Sequence, residues 1–116
     1  MNFPNLVELR LERKRRCLIA EYDDGQRFEL PVAYLRTHSP SAEVRGHGLA
    51  EPRLLPGKDH VNIERIEPIG GYAVALHFDD GHNTGIYSWE FIYALGRDME
   101  ANLERYRQRL QEAGHG

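Results

Sequence analysis

The chain has 116 residues, 41% of them hydrophobic and 28% charged, with a formal net charge of −3 and an isoelectric point near 6.1. That length and balance suit one globular domain able to bury a core without covalent staples, and the mildly acidic charge argues against nucleic acid as a partner. The single cysteine, Cys17, excludes an internal disulfide and fits a reducing compartment. No apolar run approaches the roughly 20 residues of a membrane span, and Met1-Asn2-Phe3-Pro4-Asn5 lacks the basic-then-apolar pattern of a signal peptide, so a cytoplasmic protein without membrane contact is expected.

Val7, Leu9 and Leu11 alternate with Glu8 and Arg10, which predicts a half-buried strand. Glu12-Arg13-Lys14-Arg15-Arg16 follows as a charged hairpin tip, open to two readings: a solvated turn, or a docking patch for an acidic partner. Cys17 to Tyr22 reads as a second strand with Leu18, Ala20 and Tyr22 on one face and Cys17 as a small buried apolar residue. Asp23-Asp24-Gly25 breaks it with a two-residue Asp-Gly hairpin signal, because Asp and Gly tolerate positive φ. Arg27 to Leu30 returns as a short strand, and Pro31 opens a short helix over Val32 to Arg36. Ser39-Pro40-Ser41-Ala42-Glu43 looks like another helix start, capped by Ser39 and ended by Gly46. Gly46 to His60, interrupted by Gly48, Pro52, Pro56 and Gly57, is the least regular stretch, of a length that often carries function.

Val61, Ile63 and Ile66 predict the next strand, and Gly70-Gly71 a turn. Tyr72, Val74, Leu76 and Phe78 then alternate with Ala73, Ala75 and His77, the clearest strand in the sequence, which Asp79-Asp80-Gly81 ends. Ser88 caps a helix from Trp89 to Leu95 that Gly96 closes; it is apolar on nearly every side and should be buried. The last helix, about Arg97 to Ala113, carries a narrow seam of Met99, Leu103, Tyr106, Leu110 and Ala113. That seam packs either on the protein's own sheet or on a second copy in a homodimer.

The chain echoes itself. Leu18 to Gly25 matches Val74 to Gly81, and each copy continues into a short strand and an apolar helix. The expected fold is α+β: a small antiparallel sheet from two strand-turn-strand-helix units, covered by their helices, with a C-terminal helix. Where the copies differ, the fold is the weaker explanation. Gln26 follows the first Asp-Asp-Gly and His82 the second, so His82 is the leading candidate for a functional residue.

Chemistry is thinly signalled. His77-Phe78-Asp79 fits half of a non-haem iron triad, but the echo places Asp79 as a turn residue. Of the six histidines (His38, His47, His60, His77, His82 and His115), His38, His47 and His82 flank predicted turns and loops. With Asp80 or Glu43 they form a set that would hold zinc or iron, although no tight ligand spacing is present. Arg36, His38, His47, Asp80, His82 and Trp89 are the expected binding surface. Tyr87 and Trp89 could line a pocket, but core packing explains them as well. No nucleophile with a base and no phosphate loop is apparent, which favours a binding module over an enzyme.

Asp23-Asp24-Gly25, Leu30-Pro31, Leu35-Arg36, Ser39 to Val44, Arg45-Gly46-His47 and Phe78 to Trp89 together resemble the gamma-butyrobetaine hydroxylase-like N-terminal domain family over about residues 7–96, most specifically from His82 to Trp89. In the hydroxylase the resembling domain precedes a catalytic oxygenase domain and binds zinc through three cysteines and a histidine. The resemblance puts the cysteine positions at Ser39, Ser41 and Val44 and the histidine at His82, so one ligand of four persists and the structural zinc site does not carry over. Stand-alone relatives are bacterial, and similar domains are fused to P-loop ATPases that handle iron–sulfur clusters. That implies a protein partner and an accessory role near iron–sulfur cluster or metalloprotein assembly.

Overall fold

The computed structural model describes residues 4–39, 61–81 and 85–112. His47, His60, His82 and His115, the helix expected beyond Ser39 and the irregular stretch 46–60 lie outside the described residues. The elements are β1 (Leu6–Glu12), β2 (Cys17–Tyr22), β3 (Arg27–Pro31), α1 (Val32–Thr37), β4 (Ile63–Ile69), β5 (Ala73–Phe78), β6 (Ile86–Ser88), α2 (Trp89–Arg97) and α3 (Met99–Glu112). None of the described helices is long and apolar enough to cross a membrane.

The α+β class and the two units are as expected, with one refinement. Each unit forms its own three-stranded antiparallel sheet, β1-β2-β3 and β4-β5-β6, rather than half of a shared one. The central strands β2 and β5 find both hydrogen-bonding neighbours within their own unit. The units therefore join through side chains: Leu18, Ala20, Tyr22 and Leu30 from one pack with Ile63, Val74, Leu76, Phe78 and Tyr87 from the other.

The repeat extends to details. In β1 Leu6 pairs with Tyr22 but Glu8 with Glu21, leaving Val7 as the extra residue of a bulge. In β4 Ile63 pairs with Phe78 but Arg65 with His77, and Glu64 is the extra residue. The bulge reverses the side chains before it. Leu6 packs on the core and Val7, expected inside, is 65% exposed. The first Asp-Asp-Gly turn closes a four-residue loop rather than a two-residue one, and both turns make the same bond: Gly25 N–H donates to the Tyr22 carbonyl and Gly81 N–H to the Phe78 carbonyl, each at 3.1 Å. The glycines sit at φ +89° and +92°, where a side chain would be strained.

Three tyrosine hydroxyls tie the units together. Tyr34 donates to the Leu95 carbonyl at 2.7 Å, Tyr87 to the Leu35 carbonyl at 2.6 Å, and Tyr22 to the Trp89 carbonyl at 2.7 Å. Leu35 and Leu95 lie in the last turns of α1 and α2, whose carbonyls lack partners inside the helix. Ser88 caps α2 as expected, accepting from Phe91 N–H at 3.1 Å. Gly96 does not close that helix, which runs on to Arg97 with Asp98 as its C-cap. Instead a β-carbon at Gly96 would stand 2.4 Å from Cγ of Phe28, so the glycine permits α2 to lie against β3. On α3, Met99 and Leu103 pack on the core and the Tyr106 ring stands against His38, so these seam residues face the chain's own domain.

Two outcomes follow for stability. Gly96→Ala should destabilise by about 1–3 kcal/mol through overpacking, although the same change in an open helix would stabilise by about 1 kcal/mol. Thermal unfolding should show the melting temperature falling by several degrees. The second concerns alkali. Burial pushes the Tyr34 hydroxyl up to about 12 from its ordinary 10.0. Below pH 10 the phenol is protonated whether the chain is folded or not, so its contribution is complete; above that the unfolded chain ionises first and stability is lost as pH rises toward 12. Melting temperatures across that interval should fall less steeply for Tyr34→Phe than for the wild type.

Candidate functional site

Buried polar side chains are concentrated. Among the described residues, the buried polar or charged ones are Arg36, Thr37, His38 and Ser39, four consecutive positions at the end of α1. Their placement begins with Pro31, whose fixed φ starts α1 directly from β3, so that a six-residue helix carries the chain into the core and ends there.

Arg36 reaches across to the second unit. Its Nε donates to Asp80 Oδ2 at 2.8 Å, with the arginine side chain 4% exposed and the aspartate 20%. Asp80 is held in place by its turn, since neighbouring Asp79 accepts from Asn62 N–H at 3.0 Å and donates its own N–H to the Asn62 carbonyl at 2.8 Å. Two of the expected surface residues, Arg36 and Asp80, are thus brought together, with the arginine buried and the aspartate at the surface.

His38 is also interior, at 5% exposure. Its Nδ1 lies 3.1 Å from the Tyr34 carbonyl and 3.0 Å from Thr37 Oγ1. A carbonyl only accepts, so Nδ1 carries the proton in that bond and Nε2 is the acceptor of the neutral ring. Tyr34 and Tyr106 stand on the imidazole with ring centroids at 4.6 and 5.5 Å. Trp89 is separate from this cluster: its Nε1 donates to the Gly71 carbonyl at 2.9 Å and its ring packs on the core. Core packing explains it, as it does the fully buried Tyr87. His47 and His82 lie outside the described residues, as do Ser41 and Val44. No group of three or more His, Cys, Asp or Glu side chains among the described residues is arranged to hold a metal ion.

The sequence reading missed a second polar cluster, on the outer face of the β4-β5-β6 sheet. His77 Nε2 is 3.0 Å from Glu67 Oε1 and 3.3 Å from Arg65 Nη2. An open depression of about 430 Å³ beside it is lined by Glu64, Arg65, His77, Phe78 and Gly81. The signal was the cross-strand pairing of Arg65 with His77, which depends on the bulge and so was invisible without the register. Asp79 faces Asn62 rather than this cluster, as expected of a turn residue.

No curated protein matches the chain. Solved structures do. It is 46% identical to a protein with an NMR solution structure, over 99% of this chain and 86% of that one, with a TM-score of 0.84. A second NMR solution structure shares 36% identity over 97% and 89% of the two chains, with a TM-score of 0.82. A crystal structure from Acidithiobacillus ferrooxidans, of a protein of unknown function in the DUF971 family, is 34% identical over 82% of this chain and 98% of that chain, with a TM-score of 0.69. A family model described as gamma-butyrobetaine hydroxylase-like, N-terminal, matches residues 9–93, and with most of the described fold inside that span the chain belongs to this family.

Proposed function

We propose that the chain is a non-catalytic binding module whose recognition surface is organised by the Arg36–Asp80 pair. The observation that carries this reading is that the buried polar residues among those described form one run, Arg36 to Ser39. Polar groups removed from water must be matched by partners, and a buried ion pair often contributes less than apolar residues of the same volume would. A run of four at one place therefore needs a reason other than stability. A rigid, charge-balanced support for the neighbouring surface supplies one, holding the turn that leads into His82. The family resemblance extends the reading to a protein partner in iron–sulfur cluster or metalloprotein assembly. Against an enzyme stand the burial of Cys17 and the structural roles of Tyr87 and Trp89.

A second reading, zinc or iron held by His38, His47 and His82, draws on the tautomer of His38. With Nδ1 directed at the Tyr34 carbonyl, Nε2 is the ring nitrogen that a metal would have to use. A homodimer through α3 would have to use a face other than that of Met99, Leu103 and Tyr106, which pack on the chain's own domain, and mass in solution tests it.

Arg36→Lys keeps the charge but loses the planar Nε–H directed at Asp80. It should fold, melt a few degrees lower, and lose the partners that wild type captures, as should the His47→Ala/His82→Ala double variant. Arg107→Ala, on exposed α3, should keep them. Recovery of the same partners by all four proteins would overturn the binding surface. For the metal reading, untagged protein should contain near-stoichiometric zinc or iron by mass spectrometry, lost in His82→Ala; metal-free protein from supplemented medium would sink it.

A further inference from the structure

The tip between β1 and β2 is the other place where residue choice departs from what the fold requires. Arg13, Lys14, Arg15 and Arg16 are consecutive and exposed. The tip is held rigidly. Arg13 Nη2 donates to the Glu64 carbonyl at 2.9 Å, and Arg15 Nη2 meets Glu29 Oε2 at 3.0 Å. Arg16 N–H donates to the Arg13 carbonyl at 3.2 Å and Val32 N–H to the Arg16 carbonyl at 2.9 Å. Asn62 Nδ2 donates to the Arg13 carbonyl at 3.2 Å.

Arg16 has φ +51°. The other described residues with positive φ are Gly25, Gly70 and Gly81. The corresponding turn of the second unit, between β4 and β5, uses Gly70 for its left-handed residue. A β-carbon is disfavoured in that conformation, so glycine is what the backbone alone would select at Arg16. A long cation occupies the position instead, beside Lys14, on a tip whose backbone is bonded from both units. Observed strain of this kind at an exposed charged residue points to a binding role.

We infer that the Arg13–Arg16 tip is a docking site for an acidic peptide segment of a protein partner. Guanidinium groups on a rigid turn match carboxylates in the forked geometry that arginine favours. A long polyanion fits less well. The turn holds no aromatic residue on which bases could stack, Glu12 and Glu29 flank it, and the whole chain is at −3. The inference is independent of the surface near Arg36, although Val32 and Asn62 place the tip against the start of α1 and the residue that holds Asp79.

The test titrates fluorescein-labelled hexaglutamate and hexaglutamine peptides into the full chain at low salt, following anisotropy. Hexaglutamate should bind and hexaglutamine should not. Its Kd should rise about 3- to 10-fold in Lys14→Ala/Arg16→Gly, as expected for two surface charges, and should rise with salt. Arg36→Lys should bind the peptide as wild type does, which separates this site from the surface near Arg36. Arg16→Gly alone should melt no lower than wild type. Equal binding of the two peptides, an unchanged Kd in the double variant, or a lowered melting temperature in Arg16→Gly would overturn the inference. So would tighter binding of hexathymidylate or phosphatidylserine vesicles through the same residues, which would reassign the tip to nucleic acid or membrane.

Discussion

The fold depends on hydroxyl-to-carbonyl bonds made between two similar halves. Apolar burial alone is non-directional, and two alike sheets with alike inner faces could settle against each other in several ways. Tyr34 on the Leu95 carbonyl and Tyr87 on the Leu35 carbonyl remove that freedom. Each donates to a helix-end carbonyl of the other unit that would otherwise be buried without a partner, so any sliding would leave polar groups unmatched in the core. Specificity of assembly comes from these bonds, and the bulk of the stabilisation from the aliphatic residues around them.

A second pair of contacts repeats the logic at the turns. The first aspartate of each Asp-Asp-Gly turn is bound within its own unit, Asp23 to Asn5 and Asp79 to Asn62. The second reaches the other unit: Asp24 accepts from the Tyr93 hydroxyl at 2.7 Å, and Asp80 from Arg36 at 2.8 Å. Tyr93 and Arg36 are the fifth residues of α2 and α1, so they occupy the same place in the repeat. One copy makes the clasp with a phenol, whose hydrogen bond to Asp24 raises its pKa. The other makes it with a buried guanidinium. Since a tyrosine suffices for the clasp, desolvating an arginine at the equivalent position is a feature that folding does not require.

The parts of the structure legible in the sequence were those decided locally. Alternation locates β2 and β5, Ser88 announces its helix, and the matching Asp-Asp-Gly segments disclose the two units. What was not legible was decided by contact across the chain. Val7 fits the alternating pattern, yet a bulge sends it to solvent. Gly96 looked like a helix stop, but the ring of Phe28 is what forbids a side chain there. The chemistry of Arg36 and His38 suggests a place on the surface, yet both are buried. Their burial follows from a short helix that points its end into the interface between units, and neither periodicity nor composition reports that.

The same contrast bears on what this domain kept from its family. The resemblance places a cysteine ligand of the hydroxylase's zinc at Ser39, which here is fully buried next to His38 and three residues from Arg36. A cluster of thiolates can be buried only with a cation to balance it. A serine hydroxyl, an imidazole bonded to a carbonyl through Nδ1 and an arginine–aspartate pair need no such cation. The polar centre at the end of α1 is therefore compatible with burial whether or not a metal is present, and it still fixes the turn that carries Asp80. On that resemblance one position carries a thiolate beside a metal in the hydroxylase and a fully buried hydroxyl here.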